Sequence, residues 1–202
     1  MFSLDYRTAP DDPYPAALND AADGYRYLLD AGYATEDIIV AGDSAGGGLS
    51  LSLTLKLRDE GAPLPAGLIL SSPFTDQTAA GGSYKTNATK DVYFGGWSAD
   101  NVRVPLLKPL YAGDHDLTDP YLSPAFGDYR DMPPALIIAG SDEMLLSDSE
   151  TVAARMQAAG RDVKLSVYHG MYHTFNIVTP AFRESRAAWK ETAEFVNRLK
   201  NT

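Results

Sequence analysis

The sequence predicts an α/β protein with a mainly parallel sheet flanked by helices, and three observations predict it. Short apolar runs alternate with amphipathic helical segments along the chain. Two of the runs, around Ile38-Ile39-Val40 and Gly67 to Ser72, are continuously apolar, as strands buried on both faces are. Third, an apolar strand passes through Gly42-Asp43-Ser44-Ala45-Gly46 straight into an apolar helix. Strand, tight glycine-rich turn and helix follow one another within twenty residues.

Phe2 to Tyr6 read as the end of a strand, closed by the turn-rich run Thr8-Ala9-Pro10-Asp11-Asp12-Pro13. Leu18, Ala21, Ala22, Tyr25, Leu28 and Leu29 then recur at helical spacing, with Gly32 just past the end. After Ser44, leucines at 49, 51, 53, 55 and 57 leave little polar circumference, so that helix is expected to be buried; Gly61 stops it. The Gly67–Ser72 strand ends at Pro73. Residues 74–130 are irregular and aromatic-rich, with Tyr84, Tyr93, Phe94, Trp97, Tyr111, Tyr121, Phe126 and Tyr129. An excursion of this length either covers a site or packs on the sheet. Ala135 to Ala139 form a further strand. Leu145, Val152, Met156 and Ala159 line a helix stopped by Gly160, and Val163 to Tyr168 alternate like a half-exposed edge strand. The last helix carries Phe182, Trp189, Ala193, Val196 and Leu199.

The length of 202 residues suits one domain with a substantial core. A net charge of −10 argues against nucleic acid or an anionic membrane as partner. There is no cysteine, which excludes disulfides, thiolate chemistry and cysteine-ligated metal. No signal peptide or membrane span is visible, and a cytoplasmic location is expected.

The turn at Ser44 matches G-x-S-x-G. A serine on such a turn stands above the sheet in strained backbone geometry, with glycines leaving room for the chain to double back. The Ala45 N–H then lies at a helix N-terminus, where an oxyanion is favoured. A serine nucleophile needs a base, and the base an orienting acid. In an open parallel sheet these must gather beyond the carboxyl ends of the strands. Ser44, Asp142 and His173 each follow a different strand. His115 sits in the acidic loop Gly113-Asp114-His115-Asp116, and His169 directly after its strand, so His173 is the expected base. The H-x-x-x-H spacing of His169 and His173 lacks an acidic ligand, and no zinc site is expected. Among the acids Asp142, Glu143 and Asp148, we expect Asp142 to orient the imidazole. The longer Glu143 would fix it less well, and Asp148 suits the first turn of a helix. Asp43 is expected to hold local backbone.

Asp5-Tyr6-Arg7-Thr8-Ala9-Pro10, Pro13-Tyr14-Pro15-Ala16-Ala17, Gly42-Asp43-Ser44-Ala45-Gly46-Gly47, Ser72-Pro73, Gly140-Ser141-Asp142 and Gly170-Met171-Tyr172-His173-Thr174-Phe175 stand in order along the chain. Together they resemble the hormone-sensitive lipase-like (family IV) esterases of the α/β-hydrolase fold. The resemblance implies hydrolysis of carboxylic esters of small to medium size without metal or cofactor. It also implies Ser44 as nucleophile, His173 as base and acid, Asp142 as orienter and the Ala45 N–H as one oxyanion donor.

Members of that family carry a His-Gly-Gly motif upstream of the Asp-Tyr-Arg segment, and this sequence shows none. The family's strand order also places a strand between the Phe2 and Ile38 strands. Its loss would open a gap of roughly twice the ~4.8 Å strand spacing. Either the two strands re-pair, another chain fills the slot, or the natural protein starts further upstream, making this form N-terminally truncated. Met1 falls inside the expected strand and favours the last. Loss of one oxyanion donor costs about 10²–10³ in rate, so a weak esterase is expected in this form. Two other readings remain open on the same fold: a non-catalytic small-molecule-binding protein, and a peptidase or thioesterase. The Val163–Tyr168 edge invites pairing into a homodimer.

Overall fold

The structure, a computed structural model, describes residues 1–96 and 110–201. Its frame is a parallel sheet of β1 (Ile39–Asp43), β2 (Gly67–Ser71), β3 (Ala135–Gly140) and β4 (Val163–Tyr168), adjacent in that order. Parallel neighbours need long crossovers. Helix α2 (Ala45–Asp59) supplies the first. The excursion containing the short α3 (Ser83–Thr86) supplies the second, and α4 (Leu146–Ala158) the third. Helix α1 (Ala16–Asp30) precedes the sheet, and α5 (Phe175–Val178) and α6 (Arg183–Leu199) follow it. The register pairs Asp43 with Ser71, Ser71 with Ile138 and Gly140 with Tyr168. All four strands therefore stop near one line, and the loops that follow them rise side by side.

Alternate leucines of α2 explain its burial. Leu51 and Leu55, one turn apart, join Leu68, Leu70, Ile137 and α4's Val152 and Met156 in one core cluster. Leu53 and Leu57 point the other way, onto Leu18, Ala22 and Tyr25 of α1. The opposite face of the sheet, through Leu136 and Ile138, is covered by Phe175, Ala188 and Phe195. Gly32, Gly61 and Gly160 stand just past three helix ends with positive φ, as their positions predict.

Three expectations are corrected. Phe2 to Tyr6 join no strand; Leu4 packs beside α1, and Phe2 stacks on Tyr27 at 6.0 Å between ring centroids. β1 is consequently the edge of the described sheet, so Ile39 and Val40 are half-buried and Ala41 is exposed, instead of all being covered. On α6 the inward face is Ser185, Ala188 and Phe195, while Phe182 and Trp189 are exposed. The indole N–H of Trp189 still donates to the Asn176 carbonyl at 2.9 Å, a use of aromatic residues that hydrophobic periodicity does not register. β4 stands at the sheet edge as its alternation predicts.

The described residues of the excursion reach both the helices beside the sheet and the site. Tyr111, Ala112 and Leu122 pack on α1 and α2, while Tyr93 and Phe94 lie against His173. Trp97 lies outside the described residues. No helix of the described residues is long and apolar enough to cross a membrane.

Candidate active site

Ser44 joins β1 to α2 with φ 52° and ψ −120°, a left-handed conformation that costs a non-glycine residue about 1–3 kcal/mol. The surroundings enforce it. The Ser44 N–H donates to the Ser71 carbonyl at 2.9 Å, and the Ser44 carbonyl accepts from Gly48 N–H at 3.1 Å and Phe74 N–H at 2.8 Å. The turn, and its close approach to the loop after β2, require positions without a side chain. A Cβ on Gly42 would overlap the Gly46 carbonyl, and one on Gly48 the Phe74 carbonyl. Ala45 is the first residue of α2, so its N–H has no intrahelical acceptor. Asp43 is exposed; rather than an anchor for local backbone, it is a charge felt by Tyr6, whose phenol is raised by burial first and by Asp43 second.

His173 lies in the loop after β4 and is buried. Its Nε2 is 2.9 Å from Ser44 Oγ, 129 residues away in sequence. Two serines of β2 and its end fasten that loop. Ser72 Oγ accepts the Thr174 N–H at 3.0 Å, and the Ser71 hydroxyl donates to Asn176 Oδ1 at 2.7 Å. Phe94 meets the imidazole edge-on at 4.8 Å between centroids, and Tyr93 at 6.0 Å. His115 is elsewhere, its Nδ1 3.0 Å from the Ala112 carbonyl and its ring against Tyr14. His169 is exposed.

The acid on His173 is Glu143, not Asp142. Glu143 Oε2 lies 3.1 Å from His173 Nδ1, and the Glu143 side chain is fully buried. Asp142 is half-buried, and its Oδ1 accepts the Ser141 hydroxyl at 2.8 Å. The reason is local. The Asp142 N–H donates to the Met171 carbonyl at 3.0 Å, which ties its backbone to the histidine loop and leaves the following side chain to turn inward. The expected weakness of a longer side chain is also met. Glu143 Oε1 accepts the Gly140 N–H at 3.2 Å, so both carboxylate oxygens are held. With Nδ1–H donating to Glu143, Nε2 is left as the acceptor for the serine proton. The acid and histidine loops meet backbone to backbone: a Cβ on Gly140 would overlap the Met171 carbonyl, and the Gly170 N–H donates to Ser141 Oγ at 2.8 Å.

Asp148 sits in the first turn of α4 as expected, but with a second use. Its buried Oδ2 accepts the N–H groups of Thr75 at 2.7 Å and Asp76 at 2.9 Å, stapling the loop after β2 to α4. Burial pushes its carboxyl up to about 7 against the opposing pull of those two donors. Its Oδ1 and the nearby Tyr84 hydroxyl lie outside hydrogen-bond geometry. Beside the Ser44 turn is a cavity of about 240 Å³ lined by Tyr6, Ala45, Phe74, Gln77 and Tyr111 among others. A larger open hollow of about 410 Å³, around Asp128 and Arg155, shares no residue with the Ser44 site.

A hydroxyl on a strained turn, an imidazole and a carboxylate, on three neighbouring loops above a parallel sheet, define the α/β-hydrolase class of protein. The chain belongs to that family: a family model described as alpha/beta hydrolase fold matches residues 1–177. It is similar to an esterase of Acinetobacter venetianus, 36% identical over 199 residues covering 98% of this chain and 64% of the relative. An acetyl-hydrolase of Streptomyces hygroscopicus is 33% identical over 196 residues, covering 97% and 64%. Among solved structures, a hormone-sensitive lipase from a metagenome library superposes with a TM-score of 0.90 at 39% identity, covering 97% of this chain and 66% of that one. The resemblance to the hormone-sensitive lipase-like esterases therefore extends through nearly the whole chain, which spans less than two thirds of the length of these curated relatives.

Proposed function

We propose that the protein is a serine carboxylesterase acting on short-to-medium acyl esters through an acyl-enzyme, with Ser44 as nucleophile, His173 as base and acid, and Glu143 as orienter. The observation that carries this reading is the unbroken relay from Ser44 Oγ through His173 to Glu143, at 2.9 Å and 3.1 Å. In the first half-reaction the Ser44 proton passes to His173 Nε2 as Oγ attacks the ester carbonyl. Glu143 stabilises the imidazolium through Nδ1–H, and the Ala45 N–H receives the developing oxyanion. The imidazolium then protonates the leaving alcohol. In the second half-reaction a water, deprotonated by the same nitrogen, releases the acid. The names of the relatives, esterase and acetyl-hydrolase, support the same chemistry, and the cavity beside Ser44 suits a short chain.

The test is covalent. A fluorophosphonate probe is expected to label the protein, and Ser44→Ala to abolish the labelling. A folded protein that takes up no probe would favour a binding protein on the same fold. We further propose that β4 pairs with its counterpart in a second copy to form a homodimer, because it is the last strand of the described sheet and an edge strand invites in-plane pairing.

A further inference from the structure

We propose that Asn87 and Asp91 form a clamp that sets Glu143 against His173, so that the segment running from Ser83 to Phe94 positions the relay as well as covering it. The proposal rests on the esterase reading for its kinetic arm only. Asn87 and Asp91 are both 4% exposed. The Asn87 amide donates its two hydrogens to the carbonyls of Ser141 and Glu143, each at 2.9 Å. Asp91 Oδ2 accepts the Met144 N–H at 2.6 Å. The peptide that follows the Glu143 Cα is thus gripped at both its carbonyl and its N–H, and the Ser141–Asp142 peptide at its carbonyl, from outside their own loop. Within the loop itself, the Glu143 carbonyl also accepts the Leu146 N–H at the longer distance of 3.3 Å, and the Leu145 carbonyl accepts the Asp148 N–H at 3.1 Å.

The other Asp91 oxygen does a related job. Oδ1 accepts the N–H groups of Tyr93 at 2.7 Å and Phe94 at 3.0 Å, the residues whose rings lie against His173. One buried carboxylate therefore fixes both the backbone carrying the acid and the ring backing the base. Ser83 of the same segment donates its hydroxyl to the Met144 carbonyl at 2.6 Å, and it meets a second partner, Ser147, that touches neither Asn87 nor Asp91. Ser83 Oγ lies 2.5 Å from Ser147 Oγ and accepts the Ser147 N–H at 2.8 Å, on α4 beyond Glu143. That contact supplies a control for packing alone.

The experiment compares Asp91→Asn, Asn87→Ala and Ser147→Ala with the parent protein. Asp91→Asn keeps the shape of the side chain and one acceptor, so it is the variant expected to fold if Asn87→Ala does not. The first readout is the downfield proton resonance of the His173 Nδ1–H, assigned by its loss in Glu143→Gln. The second is kcat and KM on p-nitrophenyl acetate, with Tm recorded for each variant. Displacing a catalytic group by about 1 Å costs about 10²-fold. We expect Asp91→Asn and Asn87→Ala to lose or broaden the resonance, with kcat down about tenfold to a hundredfold and KM within about twofold. Ser147→Ala should lower Tm and keep the resonance. Retention of resonance and kcat in both clamp variants overturns the proposal. So does loss in all three in proportion to Tm, or absence of the resonance from the folded parent. If the parent turns over no ester, the esterase reading fails and the resonance alone still decides the clamp.

Discussion

Two adjacent acids with opposite fates mark the residue scale. Asp142 and Glu143 follow the same strand, and sequence position alone cannot say which side chain turns toward the histidine. The deciding facts are a backbone bond from Asp142 to Met171 and a buried N–H at Gly140 that occupies the second Glu143 oxygen. Glu143→Gln is expected to lower turnover by about 10⁴, the size seen when the orienting acid of a serine relay is neutralised. Asp142→Asn should stay within about threefold. Rates of fluorophosphonate labelling check both, and the reverse ranking would restore Asp142. Ser44 and His173 were legible for physical reasons. A nucleophile turn has a short-range glycine requirement that leaves a motif, and only one of three histidines stood at the right distance past a strand end. No such local requirement marks Asn87 or Asp91. Their bonds to the acid loop reach backbone groups more than fifty residues away, and the local bonds of Asp91 to the Tyr93 and Phe94 N–H groups are those of an ordinary aspartate turn.

At the scale of elements, helix faces and strand burial were legible where packing is one-sided or complete. α1, α2 and α4 obey their spacing because each meets a continuous apolar surface. α6 obeys its spacing at Leu199, which with Phe195 fills the space over Gly67, but not at Trp189, which uses its ring nitrogen, and neither use can be read from α6 alone. β1 reads as a central strand because its composition is apolar, although in the described sheet it is an edge. The joint between α4 and the loop after β2 depends on Asp148, and its proton affinity makes that joint pH-sensitive. In the folded protein the carboxyl holds its proton up to about 7, whereas the unfolded chain releases it near ~4. Between those values the native state binds more protons, so this stabilisation is full below about pH 4 and is lost as pH rises through about 7. The separation corresponds to about 4 kcal/mol at most. Asp148→Asn, which cannot titrate, should flatten the decline in unfolding free energy between pH 5 and 8. Parallel curves for the two proteins in urea would show that Asp148 is not its source.

For the whole molecule, the fold class was the most legible property, because alternation of strand and helix is written along the entire chain. The assembly is a different matter. An open edge at β4, with Val167 exposed and Lys164 tied to Glu191 of α6 at 3.3 Å, favours an in-plane partner over burial of the strand's face. Sedimentation velocity at micromolar concentration is expected to report a dimer, and a monomer there would discount that edge. The common finishing line of the four strands has a further consequence. Ser44, Glu143 and His173 all hang from the carboxyl ends, so the turns at the amino ends, near Gly61–Pro65 and Gly160–Asp162, carry none of the relay. The protein is polarised into a working rim and a spare rim. Peptide tags, linkers or fusion partners belong on the second, where change can accumulate without disturbing the first.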